Sequence, residues 1–157
     1  IAVRAFEKLP DKKLYVAGNG PMMEEMQRYV REHHMENVKF LGYLQKDEMS
    51  EKFYQAKAVI MTSQCYEAFA MTIAEAYSYG VPVIAGRVGN MDGMVQDGIT
   101  GVKFTYNSAE DLADKISAFD AMDLSVLKKN ARAFYAERLR PEDNYQKLIR
   151  IYEDISK

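Results

Sequence analysis

The most informative part of the sequence is AVIMTSQCYEAFAMTIAEAYSYGVPVIA, residues 58–85. An apolar run of strand length stands at each end, and a polar loop and a helical segment lie between them. Ile73, Ala76 and Tyr77 recur at the spacing of one buried helix face, and Gly80 after them is typical of a left-handed helix C-terminus. A strand, a helix and a second strand in this order predict a βαβ unit with parallel strands.

The same alternation extends in both directions along the chain. Five apolar runs have strand length, at residues 14–17, 38–41, 58–61, 81–85 and 102–104. Helical segments are predicted at residues 1–9, 46–55, 124–138 and 141–155, and around Ile73. Another helix is predicted after Pro21, with Met22, Met26, Tyr29 and Val30 on its buried face. A further helix is predicted after Ser108, with Asp111 in a capping-box position. This pattern predicts a Rossmann-like α/β three-layer sandwich, in which a mostly parallel sheet is covered on both faces and two helices come last.

Composition limits the classes of function. The 157 residues suffice for one domain, and the formal net charge of −2 argues against a dedicated nucleic-acid-binding role. No apolar run is long enough to span a membrane, and no Cys/His cluster offers a zinc site. The single cysteine, Cys65, cannot form an internal disulfide, so we expect a reducing compartment and a cytoplasmic location. Residues 1–9 read as the middle of a helix, so we expect a piece of a longer protein, truncated at its N-terminus.

A glycine-rich turn follows the first predicted strand. Gly18, Asn19 and Gly20 precede Pro21, so a strand runs into a helix through a Gly-x-Gly turn. Glycines there let the backbone approach a ligand, and the helix N-terminus offers N–H groups to an anion. The turn lacks the third glycine of the dinucleotide-binding fingerprint. Taken alone, it is more often a simple tight turn than a ligand site.

Two glutamates flank the start of the helix after the strand at 58–61. Glu67 lies in the loop, and Glu75 lies about one turn into the helix. The backbone N–H groups of Phe69, Ala70 and Met71 stand between them, where a diphosphate would be stabilised. Two carboxylates suited to sugar hydroxyls around an anion site predict a sugar-nucleotide site. The alternative is that both glutamates are solvated surface charges, but the apolar neighbours of Glu75 favour a partly buried carboxylate.

This segment resembles the Glu-x₇-Glu signature of the group-1, or family 4, retaining glycosyltransferases of the GT-B fold. Four other stretches also resemble that family, in the family's order: VAGNGP at 16–21, VKFLG at 38–42, GVPVIA at 80–85, and VG at 88–89 followed by VQDGITG at 95–101. The resemblance covers nearly the whole chain. Each stretch is weak alone, but the set is specific.

The resemblance implies the donor-binding C-terminal domain of a GT-B enzyme, with the acceptor domain absent. Glu67 would serve the transferred sugar near the reacting carbon, and Glu75 would bind the ribose. The N–H groups of Phe69, Ala70 and Met71 would hold the diphosphate. Substrate contacts are further expected from Gly18, Asn19 and Gly20, and from Gly42, Tyr43 and Leu44 near the base. The partners would be a nucleotide-diphosphate sugar and a glycan or lipid-linked acceptor, with transfer to the acceptor retaining the anomeric configuration and requiring no metal.

The sequence departs from the family pattern at several positions. Alanines stand at 68 and 70, Asn90 replaces a second glycine, and Gly93 replaces a common glutamate. The family's Arg/Lys pair for the diphosphate would lie before Ile1. Arg87, after the strand at 81–85, is a candidate substitute cation, although a solvated loop arginine is the more common case.

Two other classes of function remain open: a nucleotide-sugar epimerase of the same fold, and a non-catalytic nucleotide-binding module. A basic cluster at Lys128, Lys129, Arg132, Arg138 and Arg140 suggests a peripheral membrane contact, against the more common solvated helix face.

The family resemblance also predicts a gap in the sheet. In the doubly wound strand order 3-2-1-4-5-6, the strands at 14–17 and 58–61 would flank a central strand ahead of Ile1. Three outcomes are open: the two strands pair directly, a second chain inserts a strand between them, or residues before Ile1 supply that strand. The otherwise intact pattern favours the third.

Overall fold

The computed structural model describes residues 1–156, which form eight helices and five strands. In chain order these are α1 (Ala2–Glu7), β1 (Leu14–Ala17), α2 (Met23–Glu32), β2 (Val38–Gly42), α3 (Lys46–Gln55), β3 (Val59–Met61), α4 (Met71–Ser78), β4 (Val83–Gly86), α5 (Gly89–Met94), β5 (Gly101–Phe104), α6 (Ala109–Phe119), α7 (Leu124–Arg138) and α8 (Pro141–Ile155). None of these helices has the length and apolar character needed to cross a membrane. The α/β sandwich and its two final helices are as predicted.

All strand pairs are parallel, and they form two groups. β1 pairs with β2, and β4 lies between β3 and β5. Within residues 1–156, β1 and β3 are not ladder partners, so direct pairing across the predicted gap is excluded. The order of the strands on either side of the interruption agrees with the doubly wound prediction.

One hydrophobic core joins the two groups of strands. Leu14 of β1 and Val38 of β2 belong to the same buried cluster as Ile84 of β4 and Phe104 of β5, together with Phe6 of α1. α2 and α6 contribute to the same cluster, including the predicted Leu112, Ile116 and Phe119. The two groups of strands therefore share one helical layer, which connects them where strand pairing does not.

A second core covers the other face of β3 and β4. Ile73 and Tyr77 of α4 pack there with Val83 of β4, Phe53 of α3 and Ala131 of α7. The Tyr77 hydroxyl lies 2.7 Å from Thr100 Oγ1, and burial raises the pKa of Tyr77 to about 12. These contacts fix α4, whose N-terminus carries the predicted site, against the end of the sheet.

Several local predictions need correction. α1 ends at Glu7, two residues before the predicted end at Leu9. α2 begins at Met23, two residues after Pro21, and Met22 is 57% exposed because it precedes the first helical turn. The short helix α5 was not predicted. Gly80, in contrast, has the expected left-handed backbone, with a φ angle of +68°.

A single carboxylate connects the amino ends of β1 and β3. Asp120, at the end of α6, lies 2.5 Å from Lys12 Nζ and 3.4 Å from Lys57 Nζ. Lys12 stands just before β1, and Lys57 stands just before β3. Because both lysines reach one carboxylate, the amino ends of β1 and β3 converge there, although these two strands do not pair with each other.

Candidate functional site

Two predicted turns meet at the carboxyl ends of β1 and β2. The Gly18 N–H donates to the Gly42 carbonyl at 2.6 Å, which brings Gly18, Asn19 and Gly20 beside Gly42 and the residues after it. Tyr43 is 71% exposed at this position, and Leu44 is partly buried. The structure therefore places two of the predicted substrate-binding groups side by side.

Glu67 lies in an exposed loop, residues 62–70, which we call the Glu67 loop. The Glu67 side chain is partly buried, and Ser63 Oγ donates to its carboxylate at 2.5 Å. Ser63 was not among the predicted site residues. Its hydroxyl holds the carboxylate within the loop, four residues away in sequence.

The N-terminus of α4 directly follows the Glu67 loop and has features suited to an anion. Its N-cap is the buried Ala70, which offers no side-chain acceptor, and its first turn contains no acidic residue. Within residues 1–156, the N–H groups of Phe69 and Ala70 have no hydrogen-bond acceptor. The Met71 N–H instead donates to the Phe69 carbonyl at 3.0 Å. Two of the three predicted backbone donors are thus available to a ligand, and the third is engaged locally.

Glu75 occupies the exposed side of α4, which corrects the prediction of a partly buried carboxylate. The apolar residues beside it in sequence, Ile73, Ala74 and Ala76, are buried on other sides of the helix. Successive helix positions differ by about 100°, so apolar neighbours in sequence do not bury a residue. The carboxylate is solvated, without an ion-pair partner in the described part of the chain.

Three residues that the sequence analysis did not assign to the site form hydrogen bonds to the Glu67 loop from other segments of the chain. Asn90 of α5 donates its side-chain amide to the Ala68 carbonyl. The Tyr106 hydroxyl donates to the Gln64 carbonyl at 2.9 Å, and the Gln64 side-chain amide donates to Asn107 Oδ1 at 2.6 Å. Of these three residues, only Asn90 could have been identified from the sequence, because it stands where the family pattern has a glycine.

Arg87 lies after β4, near this edge of the sheet, but it is engaged within the chain. Its guanidinium lies 2.9 Å from Asp97 and 3.8 Å from Asp92, and Lys103 Nζ also lies 2.9 Å from Asp92. An anionic ligand would have to compete with two carboxylates for Arg87, which weakens the prediction that it substitutes for the family's cations.

Three residues of the basic cluster on α7 and at the start of α8 contact other groups of the chain. Arg132 donates to the Ser78 carbonyl, and Arg138 lies over the Phe134 ring at 5.3 Å. Arg140 lies 3.8 Å from both Glu142 and Asp143. These contacts favour the interpretation as an ordinary helix surface over a membrane contact. Residues 1–156 contain no group of three His, Cys, Asp or Glu side chains arranged to hold a metal ion.

Comparisons with known proteins show which family and which fold the chain shares. A sulfoquinovosyl transferase of Arabidopsis thaliana is 30% identical over 131 residues, which are 80% of this chain and 25% of that protein. An N-acetyl-alpha-D-glucosaminyl L-malate synthase of Bacillus anthracis is 29% identical over 157 residues, 98% of this chain and 40% of that protein. The crystal structure of Anabaena HepE in complex with UDP matches with a TM-score of 0.88 at 22% identity, over 98% of this chain and 44% of HepE.

The chain thus spans less than half the length of each of these proteins, and the likeness to HepE shows a shared GT-B fold. The family model for glycosyl transferases group 1 matches residues 1–133. The chain belongs to the glycosyl transferases group 1.

Proposed function

We propose that this chain binds a nucleoside diphosphate sugar as the donor-binding part of a glycosyltransferase. The observation that carries the proposal is the N-terminus of α4, which has no side-chain cap and no acidic residue in its first turn. Glu67 precedes it and Glu75 follows it, and both carboxylates have some access to solvent. HepE, which has the same fold, was crystallised with UDP, so UDP is the first nucleotide to test.

In this proposal the diphosphate lies at the N-terminus of α4. The N–H groups of Phe69 and Ala70 donate to phosphate oxygens, and the Met71 N–H exchanges the Phe69 carbonyl for a phosphate oxygen. Glu75 accepts hydrogen bonds from the ribose hydroxyls. The base lies near Gly42, Tyr43 and Leu44, where the exposed Tyr43 ring offers a surface for stacking.

Glu67 would act on the transferred sugar. Its carboxylate accepts hydrogen bonds from sugar hydroxyls and orients the reacting carbon, and the leaving phosphate takes the proton of the acceptor. We infer a hexosyl transfer with retention to a glycan or lipid-linked glycan held by a separate domain, without a metal ion, in the cytoplasm. The names of the two related transferases support the reaction class.

The donor-binding step is tested by a thermal-shift titration of the chain with UDP, GDP, ADP and their sugars. A ligand that binds only the folded state stabilises it by about 2.7 kcal/mol at 100 times its Kd. We expect a Tm that rises with the logarithm of the concentration of one nucleoside diphosphate, and a smaller rise with its nucleoside alone. A flat response to all three diphosphates would contradict the proposal.

The transfer step is tested in the longer polypeptide that also holds the acceptor. Glu67→Gln should lower turnover by about 100-fold, because a group that stabilises the transition state is lost, while UDP affinity is retained. The control is Glu137→Gln, an exposed glutamate on α7. A Glu67→Gln enzyme with wild-type turnover would remove Glu67 from the reaction.

The same assays separate the two alternative functions. An epimerase would convert the donor sugar without any acceptor, whereas a non-catalytic module would bind the donor and transfer nothing in any polypeptide. The 157-residue chain alone should transfer nothing, because catalysis needs both reactants held in near-attack geometry.

A further inference from the structure

The Glu67 loop has little packing of its own. Tyr66 is 85% exposed, Phe69 is 48% exposed and Cys65 is exposed, so few apolar contacts fix the loop. Its position therefore depends on polar contacts from other segments. One of these contacts, from Asn90, reaches a peptide group that also contains a predicted phosphate donor.

The Asn90 amide donates to the carbonyl of Ala68. That carbonyl and the N–H of Phe69 belong to one planar peptide group, which is trans like the other peptide bonds of residues 1–156. In a trans peptide the C=O and the N–H point in opposite directions, so fixing one fixes the other. Asn90 thereby determines the direction of the Phe69 N–H, which has no acceptor within residues 1–156.

Gly89, the neighbour of Asn90, packs closely against Tyr66 of the same loop. Its φ angle is +52°, and a Cβ built on it would lie 3.1 Å from Cδ1 and 3.5 Å from Cα of Tyr66. Any side chain at this position would therefore push Tyr66 away and strain the backbone. Close approach at Tyr66 and the hydrogen bond at Ala68 place the start of α5 directly against the Glu67 loop.

We propose that Asn90 is a positioning residue for the diphosphate of the donor, acting through the peptide group between Ala68 and Phe69. This inference rests on the proposed function and adds a specific role for a residue that does not itself touch the ligand. The Asn90 amide holds the Ala68 carbonyl, and the Phe69 N–H is thereby presented to a phosphate oxygen before the ligand arrives. Preorganisation of this kind raises affinity by reducing the ordering cost of binding.

If Asn90 positions the Phe69 N–H for a phosphate oxygen, replacing Asn90 should weaken binding only of ligands that contain phosphate. Asn90→Ala should weaken UDP binding by about tenfold, the effect of one hydrogen bond to a charged group, and leave the affinity for uridine unchanged. Asn90→Gln, which keeps the amide on a longer side chain, should lie between wild type and Asn90→Ala. UDP and uridine affinities are measured by calorimetry or NMR titration on the 157-residue chain, after circular dichroism has shown that each variant is folded.

A second readout needs no nucleotide. Cys65 is the only cysteine of the chain and lies in the Glu67 loop, so its rate of reaction with a thiol reagent reports how firmly the loop is held. Asn90→Ala should raise this rate several-fold. The matched control is Asn130→Ala, because Asn130 on α7 donates the same kind of hydrogen bond, to the Ile99 carbonyl at 3.2 Å, away from the loop.

The outcomes are distinct. Equal UDP affinity in wild type and Asn90→Ala would overturn the inference, and so would an equal loss of UDP and uridine affinity, which would indicate general damage to the fold. An unchanged Cys65 rate in Asn90→Ala would also overturn it. Wild-type chain that binds neither UDP nor any other nucleoside diphosphate would overturn the proposed function, and the inference with it.

Discussion

The carboxylate of Glu75 is solvated on α4, and this exposure suits a hydrogen-bond acceptor for a ligand. A carboxylate already in water needs no buried counter-ion when the ligand is absent, so Glu75 is not an unpaired buried charge in the unliganded chain. A ribose placed against α4 would replace water at Glu75 with two hydroxyl donors. Hydrogen bonds to a charged acceptor contribute more than neutral ones.

Glu75→Ala should therefore weaken binding of the nucleoside diphosphate by about 1.5–3 kcal/mol, which is at least about tenfold in Kd. Calorimetric titration with UDP measures the effect. Glu137→Ala, an exposed glutamate on α7 outside the candidate site, is the matched control and should leave Kd unchanged. Equal affinities in wild type and Glu75→Ala would remove Glu75 from the site.

The sequence predicted where the residues of the Glu67 loop and of α4 lie along the chain, but it did not predict the hydrogen bonds that hold them in place. Spacing along one segment placed Glu67 before a helix and Glu75 within it. Ser63 bonds Glu67 within one irregular loop, whose conformation no helix or strand period specifies. Asn90 bonds the Ala68 carbonyl, and that contact depends on how two separate segments pack. Asn90 stands 22 residues from Ala68 in sequence, beyond the range of any local pattern.

Among the elements, α6 shows how far local sequence determines structure. Its N-cap Ser108 accepts a hydrogen bond from the Asp111 N–H at 3.1 Å, as predicted. The Asp111 carboxylate, however, accepts from the Thr105 N–H at 2.5 Å and does not close a capping box, and this hydrogen bond lowers the pKa of Asp111. The capping therefore extends back to the end of β5 and fixes the segment that contains Tyr106.

Ser108→Ala should destabilise the chain by about 0.5–2 kcal/mol, because the Asp111 N–H loses its acceptor at the first turn of α6. Urea denaturation measures the change in free energy of unfolding. Ser117→Ala is the internal control: Ser117 lies within α6 and donates to the Ala113 carbonyl, so alanine should be neutral or slightly stabilising there. A Ser108→Ala variant as stable as Ser117→Ala would show that the cap is dispensable.

The elements that were predicted to the residue are those with strong local signals. β1, α3, α7 and α8 have the predicted bounds, since each combines a clear period with a defined start. α5 was missed because its six residues include Gly89 and Gly93, and glycine opposes helix formation in isolation. α8 has the predicted period, but its apolar side is mostly exposed, because amphipathic spacing does not specify a packing partner.

In the whole molecule, the two groups of strands are joined by a shared core and by the ion pairs of Asp120. The Lys12 ammonium holds the pKa of Asp120 below its ordinary value of 3.8, with a smaller contribution from Lys57. A carboxylate whose pKa is lower in the folded state stabilises the fold above its unfolded pKa. That contribution is lost as the pH falls through the folded pKa, below 3.8.

The free energy of unfolding of the wild-type chain should therefore fall more steeply between about pH 5 and pH 2.5 than that of Asp120→Asn, which has no charge to lose. Urea denaturation at a series of pH values measures both slopes. Asp114→Asn, an exposed carboxylate on the same helix, should retain the wild-type slope. Parallel curves for wild type and Asp120→Asn would show that these ion pairs do not help to hold the two groups of strands together.

The position of Asp120 also bears on how such a protein can change during evolution. The ion pairs lie at the amino ends of β1 and β3, whereas the Glu67 loop and the glycine turns follow the carboxyl ends of the strands. The ion pairs of Asp120 and the candidate site thus lie at opposite ends of the strands. Substitutions in the candidate site and substitutions near Asp120 should therefore have nearly additive effects on the free energy of unfolding, because distant substitutions rarely couple. A variant destabilised by changes in the Glu67 loop can then be rescued by stabilising substitutions at the amino ends of the strands, which leave the loop itself unchanged.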